Sequence, residues 1–266
     1  MTEKSTALMK VEEIESKFPA LIAGQSKALQ IMQEVLEDDD INIFSLTKIC
    51  IAPGGINQFI IKYASGREET VSEVIGVILL RRKMRGMWLD GTLLGTPPSC
   101  SSSNAKVGTG DIDGSGKIET RYCKVCPMAQ FGSAVKDGVK GEGQMCQLRN
   151  VLFFLREKKS MPDILSAPPT SAGIVQGFLT ELSGDALYPH QAIVKTTLAK
   201  FVNKNNKPYS KIQFSDVVAL NEKQKVGADA LHKAIKSLFG EKRIDDEDIG
   251  AIIDDESPTG KPVDTE

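Results

Sequence analysis

Four cysteines, Cys100, Cys123, Cys126 and Cys146, fall within one segment, 91–148, that is rich in Gly, Ser and Lys and has no hydrophobic periodicity. A C-x2-C pair such as Cys123 and Cys126 makes a tight knuckle whose thiolates can share one ion, and a second pair completes a tetrahedron. Here the second pair is split, with twenty-two residues between Cys100 and the knuckle and nineteen between the knuckle and Cys146. The segment can therefore close around a metal only if its loops fold back on themselves. A metal would also explain the composition, because a stretch so poor in large apolar residues needs something in place of a core. Structural Zn²⁺ is the expected ion, with four sulfurs filling every position and none left open for catalysis. An iron–sulfur cluster is the second reading, suggested by "CKVCP" and disfavoured because the ferredoxin spacing is absent. The fifth cysteine, Cys50, alternates within an apolar run and reads as core.

Cations beside aromatic rings are the second chemistry the chain offers. "LLRRKMRGMWL" sets Arg81, Arg82 and Arg85 close to the only tryptophan, Trp88. The cysteine segment repeats the combination with Lys124, Phe131, Lys136 and Lys140, and "KFVNKNNKPYSK" does so with Lys204, Lys207 and Tyr209. Such a surface neutralises phosphates and stacks bases, as single-stranded DNA or RNA requires. Any one of these stretches could instead be a solvated face with a core aromatic; three of them together favour nucleic acid. No recognition helix is evident, which argues against sequence-specific reading of a duplex.

Other chemistries find little to build on. "DIDGSGKIETRY" imitates a calcium loop, but its twelfth position is Tyr122 where a bidentate Glu is needed, and no helix precedes it. Only two histidines exist, His190 and His232, and neither sits in a deaminase, hydrolase or metalloenzyme pattern. No phosphate-binding glycine fingerprint is present. No catalytic residue is assigned, and a non-enzymatic protein is expected.

The elements that must position these residues follow from periodicity. Residues 6–37 repeat at helical spacing, with Pro19 and Gly24 dividing them into two helices. "INIFSLTKICIA", "NQFIIKYA" and "ETVSEVIGVILLRRKMRGMWL" predict strands joined by tight turns, and "NVLFFLRE" a further apolar strand. A helix is predicted near 171–183, a β-hairpin turning at 203–207, and an amphipathic helix over 221–239. Hairpins with one long insertion predict an α+β chain built on a small antiparallel β-barrel of OB type. Its parts are an N-terminal helical segment (1–39), a β-rich core (40–220) carrying the four-cysteine zinc-binding insertion at 91–148, a C-terminal helix (221–240) and a disordered acidic tail (241–266).

Net charge is only −2, but it is unevenly spread. Residues 81–159 hold fourteen Lys/Arg against seven Asp/Glu, whereas 241–266 hold three against ten. An acidic tail beside a basic middle can compete for the same groove or recruit partners. No apolar run is long enough to span a bilayer and the first residues lack a signal-peptide core, so a cytoplasmic protein with no membrane partner is expected.

The succession "PGG", "GVILLRRKMRGMW", "PPSCSS", "YCKVCPMAQFGS", "C-x2-R-x3-FFL", "PPTS" and "KPYSKIQF" resembles a set of proteins encoded by bacteriophages and prophages, over roughly residues 40–220. Those proteins are mostly uncharacterised and are associated with replication or recombination loci. Separately, an OB barrel with a zinc-binding insertion and an acidic tail is similar in plan to phage and eukaryotic single-stranded DNA-binding proteins. Those proteins often include His among their ligands, whereas this set would be all Cys. Together the resemblances imply a protein that binds single strands in a bacterial host cell, bound to zinc and meeting replication or recombination proteins through its tail. A zinc-ribbon interaction or transcription-regulating factor is the alternative.

Overall fold

The computed structural model describes residues 11–21, 34, 46–89, 98–136, 138–203 and 206–239. The expected acidic tail, most of the N-terminal helical segment and Lys204 lie outside these. Thirteen strands are described: β1 (Lys48–Ile51), β2 (Phe59–Lys62), β3 (Glu68–Val71), β4 (Glu73–Met87), β5 (Cys100–Ser102), β6 (Val107–Gly110), β7 (Glu119–Tyr122), β8 (Val135–Lys136), β9 (Val139–Lys140), β10 (Gln147–Arg156), β11 (Asp163–Ala167), β12 (Ala192–Val202) and β13 (Pro208–Ala219). The helices are α1 (Val11–Lys17), α2 (Ala172–Gly184) and α3 (Glu222–Phe239).

The centre is the antiparallel pair of β4 and β10, in register from Gly76–Arg156 to Gly86–Gln147. The run "NVLFFL" is apolar at every position after Asn150 because both faces of β10 are covered. Val151, Phe153 and Leu155 enter one core, and Leu152 and Phe154 enter the other. A register shift between Phe153 and Phe154 leaves Leu79 as the extra residue in β4. That bulge lets Leu79 and Leu80 both meet the first core, where strict alternation would turn one away.

The expected barrel is not formed. Eleven strands make one mixed sheet, ordered β3-β2-β1-β11-β10-β4-β5-β6-β7, with β12 and β13 joined to β4. β3, β7 and β13 each pair on one side alone, so the sheet is open. The β10–β11 hairpin sets β11 beside β1, in parallel. The long strand read over 69–89 also divides at Ser72, and β3 turns away to pair with β2.

β4 is shared between two branches. Its first residues, Glu73–Val77, bond to β12 along the edge that later serves β5, at Arg85–Met87. α1, the 3-10 turn at Pro19–Leu21 and α3 cover one face of the sheet, while α2 lies against the other. α3 comes close to the chain at Leu21, and Gly227 is the point of approach: a Cβ there would run into the Leu21 carbonyl oxygen and carbon.

Helix propensity and packing therefore oppose each other at Gly227. Ala in place of Gly should stabilise an isolated helix by about 1 kcal/mol. In the folded chain Gly227→Ala should instead destabilise by about 1–3 kcal/mol, because the obstacle is backbone and cannot swing aside. Urea titration of both proteins checks the sign; a gain in stability would show that α3 does not dock so closely.

Candidate functional site

The segment 98–148 forms a lobe at the β5 branch of β4. It was expected to be loop, yet it holds β5, β6 and β7 as a small meander and the two-residue pair β8–β9. Its strands carry no alternating apolar pattern, since β5 is Cys-Ser-Ser, β6 is Val-Gly-Thr-Gly and β7 is Glu-Thr-Arg-Tyr. Backbone pairing and a small core of unusual make-up replace that pattern. The core contains Met87, Cys100, Ile112, Cys126, Ala129 and Cys146, flanked by Leu89, Met128 and Met145. Six of these nine side chains carry sulfur.

Each thiol enters the lobe by a traceable path, three of them into this core and Cys123 buried outside it. Cys100 faces Met87 on β4 and Gly110 on β6. The knuckle begins where the Cys123 amide donates to the Lys106 carbonyl (2.8 Å), and the Cys126 amide turns back toward the Cys123 carbonyl (3.4 Å). Cys146 is drawn in when its amide donates to the Met128 carbonyl (2.8 Å). Gly108 leaves room where sulfurs approach: a Cβ there would lie 3.4 Å from Cys123 Sγ and 3.5 Å from Cys100 Sγ. All five cysteines of the chain are buried and none is in a disulfide. Burial pushes the Cys146 thiol up to about 12; Arg85 pulls it down, while Cys100, Cys123 and Cys126 add to the rise.

The backbone thus gathers four thiols into one compact lobe. Among the described residues, however, no group of three or more His, Cys, Asp or Glu side chains is arranged so that it could hold a metal ion. The two observations concern different things, since chain topology sets which thiols share a core and side-chain rotation sets whether they close on a point. Thiols packed as neutral hydrophobes need not point at one another.

The basic stretch of β4 is taken up by the fold. Arg81 and Arg82 are successive residues, so they leave the strand on opposite faces. Arg81 Nε donates to Asn150 Oδ1 (2.8 Å) and its Nη2 to Gln176 Oε1 of α2 (3.1 Å). Arg82 is buried, and donates to the carbonyls of Phe239, at the end of α3, and Ser103 (2.9 Å). Arg85 Nη1 donates to the Cys146 carbonyl (2.8 Å), and Trp88 is partly buried against the core beneath α3. These four residues were expected to grip nucleic acid; the structure uses them to fasten helices and the cysteine lobe to the sheet.

The other expected contacts stand at the surface. Lys124 and Lys140 are exposed on the lobe, as are Phe131 (83%) and Tyr122 (71%). The side chain of Lys136 lies outside what is described. At the β12–β13 hairpin, Lys207 is exposed, Tyr209 pairs with Phe201 across the strands, and Lys211 Nζ sits 4.5 Å from the Phe201 ring centre. The hairpin and the lobe do not form one groove. β12 runs antiparallel to β4 and continues past its start, while the lobe joins the end of β4. The two surfaces lie roughly 50 Å apart if the strands are taken as straight.

The loop at 111–116 closes on itself. Asp111 accepts from the amides of Asp113, Gly114 and Gly116, and Asp113 from that of Ser115, as turn-forming carboxylates do.

A second cluster was not legible, because its members are far apart in sequence and match no motif. His190 and His232 stack at 4.2 Å with their planes 10° apart, and Tyr188 stacks on His190 at 5.5 Å. His190 Nε2 meets Asp229 Oδ1 at 2.8 Å, and His232 Nδ1 meets the Leu79 carbonyl at 2.6 Å. They border a cavity of about 340 Å³ between β4, the 188–191 turn and α3. Burial first, then the neighbouring His232, lowers the His190 pKa against the pull of Asp229.

The chain matches no protein-family model, no curated protein and no solved structure. Among the described residues no helix is long and apolar enough to cross a membrane.

The His190 environment predicts a pH effect with a definite sign. A histidine whose pKa falls on folding leaves stability whole above its unfolded value, and stability declines as pH drops below it. Asp229, Lys233, Arg81, Tyr188 and His232 are the charged or titratable groups around this cavity. Asp229, its pKa lowered chiefly by the Gln191 hydrogen bond, adds its own loss only in the acidic range of carboxylates. The melting temperature should therefore fall from about pH 7 to about pH 5.5, a window that brackets the ordinary imidazole value. His190→Gln should flatten that slope; an unaltered slope would move its origin elsewhere.

Proposed function

We propose that this protein binds single-stranded DNA with little regard for sequence, using the cysteine lobe as its principal contact surface. The observation that carries this reading is the lobe's inversion of normal burial. Phe131 and Tyr122 face solvent beside Lys124 and Lys140, while sulfur-bearing side chains fill the interior. Large rings held outward among cations suit bases and phosphates together. The Phe201–Tyr209 pair with Lys207 and Lys211 supplies a second platform at the opposite end of the sheet.

Cys100, Cys123, Cys126 and Cys146 are the residues that would hold Zn²⁺, which would brace the lobe and leave the rings where they stand. An iron–sulfur cluster in their place is separated from zinc by its colour and by metal analysis. The reading assigns no catalytic role. It sets the protein in the cytoplasm of a bacterial host, at replication or recombination, with the acidic segment 241–266 meeting partner proteins. The exposed aliphatic residues Ile118, Val125 and Val139 on the same lobe favour a second reading, in which the lobe docks on a protein.

Two platforms at opposite ends give a length dependence. A single strand at stacked spacing needs about 15 nucleotides to cover the gap. In a fluorescence titration, affinity for oligo-dT should rise steeply near that length, because the second contact becomes intramolecular. It should also weaken with added salt. No binding of a 30-mer at low salt would remove the DNA reading and leave protein docking. Phe131→Ala and Tyr122→Ala should each weaken binding by about 1–3 kcal/mol with little change in melting temperature.

The metal is tested apart from DNA. Cys123→Ser should lose bound zinc and open 98–148 to protease while the rest of the sheet resists digestion. Wild-type protein purified with no stoichiometric metal, or a variant that retains it, would overturn the ligand set.

A further inference from the structure

We propose that the cavity bordered by Tyr188, His190, His232, Asp229, Arg81 and Lys233 is a nucleotide site. Its ligand would be a nucleotide whose base stacks on the outer face of Tyr188 and whose phosphate lies toward Lys233. This site is separate from the lobe and the hairpin and does not depend on their binding a strand.

Hydrogen bonding fixes what the two imidazoles can offer. The Leu79 carbonyl only accepts, so His232 Nδ1 carries the hydrogen and a neutral ring presents Nε2 as an acceptor. The Asp229 carboxylate likewise takes the Nε2 hydrogen of His190, leaving Nδ1 as an acceptor. Gln191 Nε2 donates to the same carboxylate oxygen (3.0 Å) and steadies it. A group that reaches the edges of these rings must therefore donate hydrogens, whereas a base outside Tyr188 meets the column through its face.

The stack sets the ligand's shape. Tyr188, His190 and His232 form a column of near-parallel rings, with Tyr188 64% exposed at its outer end. A column of this kind is extended by another flat ring, and base–aromatic stacking makes a large contribution to binding. Lys233 is exposed at the border, so an anionic group on the ligand meets positive charge there. A volume of about 340 Å³ lies at the lower end of the range for small-molecule sites.

Other occupants fit less well. One metal ion cannot be shared by these rings, because lone pairs lie in the ring planes and planes only 10° apart at 4.2 Å do not converge on a common point. No Ser, Thr or Cys borders the cavity, so the hydroxyl and thiol nucleophiles of acyl transfer are missing from its lining.

The chain's two histidines make the test direct, because only two imidazole spin systems appear in a ¹H–¹³C spectrum of the full-length protein. Titration with dAMP should shift both saturably, and Tyr188→Leu should weaken the response about tenfold while leaving the melting temperature unchanged. Lys233→Gln should weaken dAMP more than deoxyadenosine. Oligo-dA distinguishes the source of the base. Shifts with both probes mean that a free nucleotide suffices, whereas shifts with oligo-dA alone mean that the site takes a base from a strand. The proposal is overturned if neither probe moves the imidazole signals, if inorganic phosphate alone reproduces the shifts, or if Tyr188→Leu responds like the wild type. A flat oligo-dT titration together with saturable dAMP shifts would remove the strand-binding reading and leave this site standing.

Discussion

The hydrogen bonds between β4 and β10 are the constraint on which the rest of the architecture depends. They run unbroken across most of both strands apart from one bulge, and the side chains of β10 divide between the two cores. Each helix layer therefore packs against a surface that the β4–β10 register defines. A slip of one residue would exchange Phe153 with Phe154 and send every apolar side chain of the pair to the wrong layer. The bulge at Leu79 lies where α3 docks, and its carbonyl is the acceptor for His232. The same irregularity that fills the first core thus shapes the wall of the histidine cavity.

The length of β4 has a further consequence. At fifteen residues it is much longer than an ordinary strand, and its outer edge is divided between β12 at one end and β5 at the other. The branches diverge because one strand edge cannot bond two partners at the same place. Between them, Arg81 and Arg82 alternate across the sheet and tie α2 on one side and α3 on the other. A guanidinium reaching carbonyls or amides of a covering helix satisfies groups that would otherwise be buried unpaired, which sequence composition cannot tell from a phosphate contact. Charge density along a segment was a poor guide here because strand alternation scatters it. Where the chain turns or projects, as at Lys124 and Lys207, charge density and exposure agree.

Much of the fold was legible where one signal dominated. The apolar strand at "NVLFFLRE", the helices expected near 171–183 and over 221–239, and the hairpin turning near 203–207 follow from periodicity and turn chemistry, and the structure has each of them within a residue or a few of the expected bounds. β11 was hidden because Pro162, Pro168 and Pro169 crowd a five-residue strand that is buried throughout and so shows no alternation. Missing β11 meant missing the parallel pair with β1, and the closed barrel followed from the error. Parallel pairing depends on a long-range connection, for which local sequence has no signature. The candidate sites divide in the same way. The knuckle is a local pattern and could be read, while the histidine stack is made by tertiary packing of the 188–191 turn against α3 and could not.

The cysteine lobe and the main sheet solve the same stability problem with different materials. The sheet excludes water with Phe, Leu, Ile and Val on two faces. The lobe has one small core, and its largest nearby rings point outward. Burying Phe131 instead would contribute about 1.5–3 kcal/mol to a lobe that needs it, so its exposure asks for a compensating benefit outside the lobe. Meander hydrogen bonds and the tie from Arg85 to Cys146 hold the frame. They do not explain why four buried thiols, rather than four aliphatic side chains, lie inside the lobe. A thiol fills space less well than Val or Ile and is worth keeping for its chemistry. Sulfur inward and rings outward become one arrangement if an ion supplies the cohesion and a ligand covers the rings.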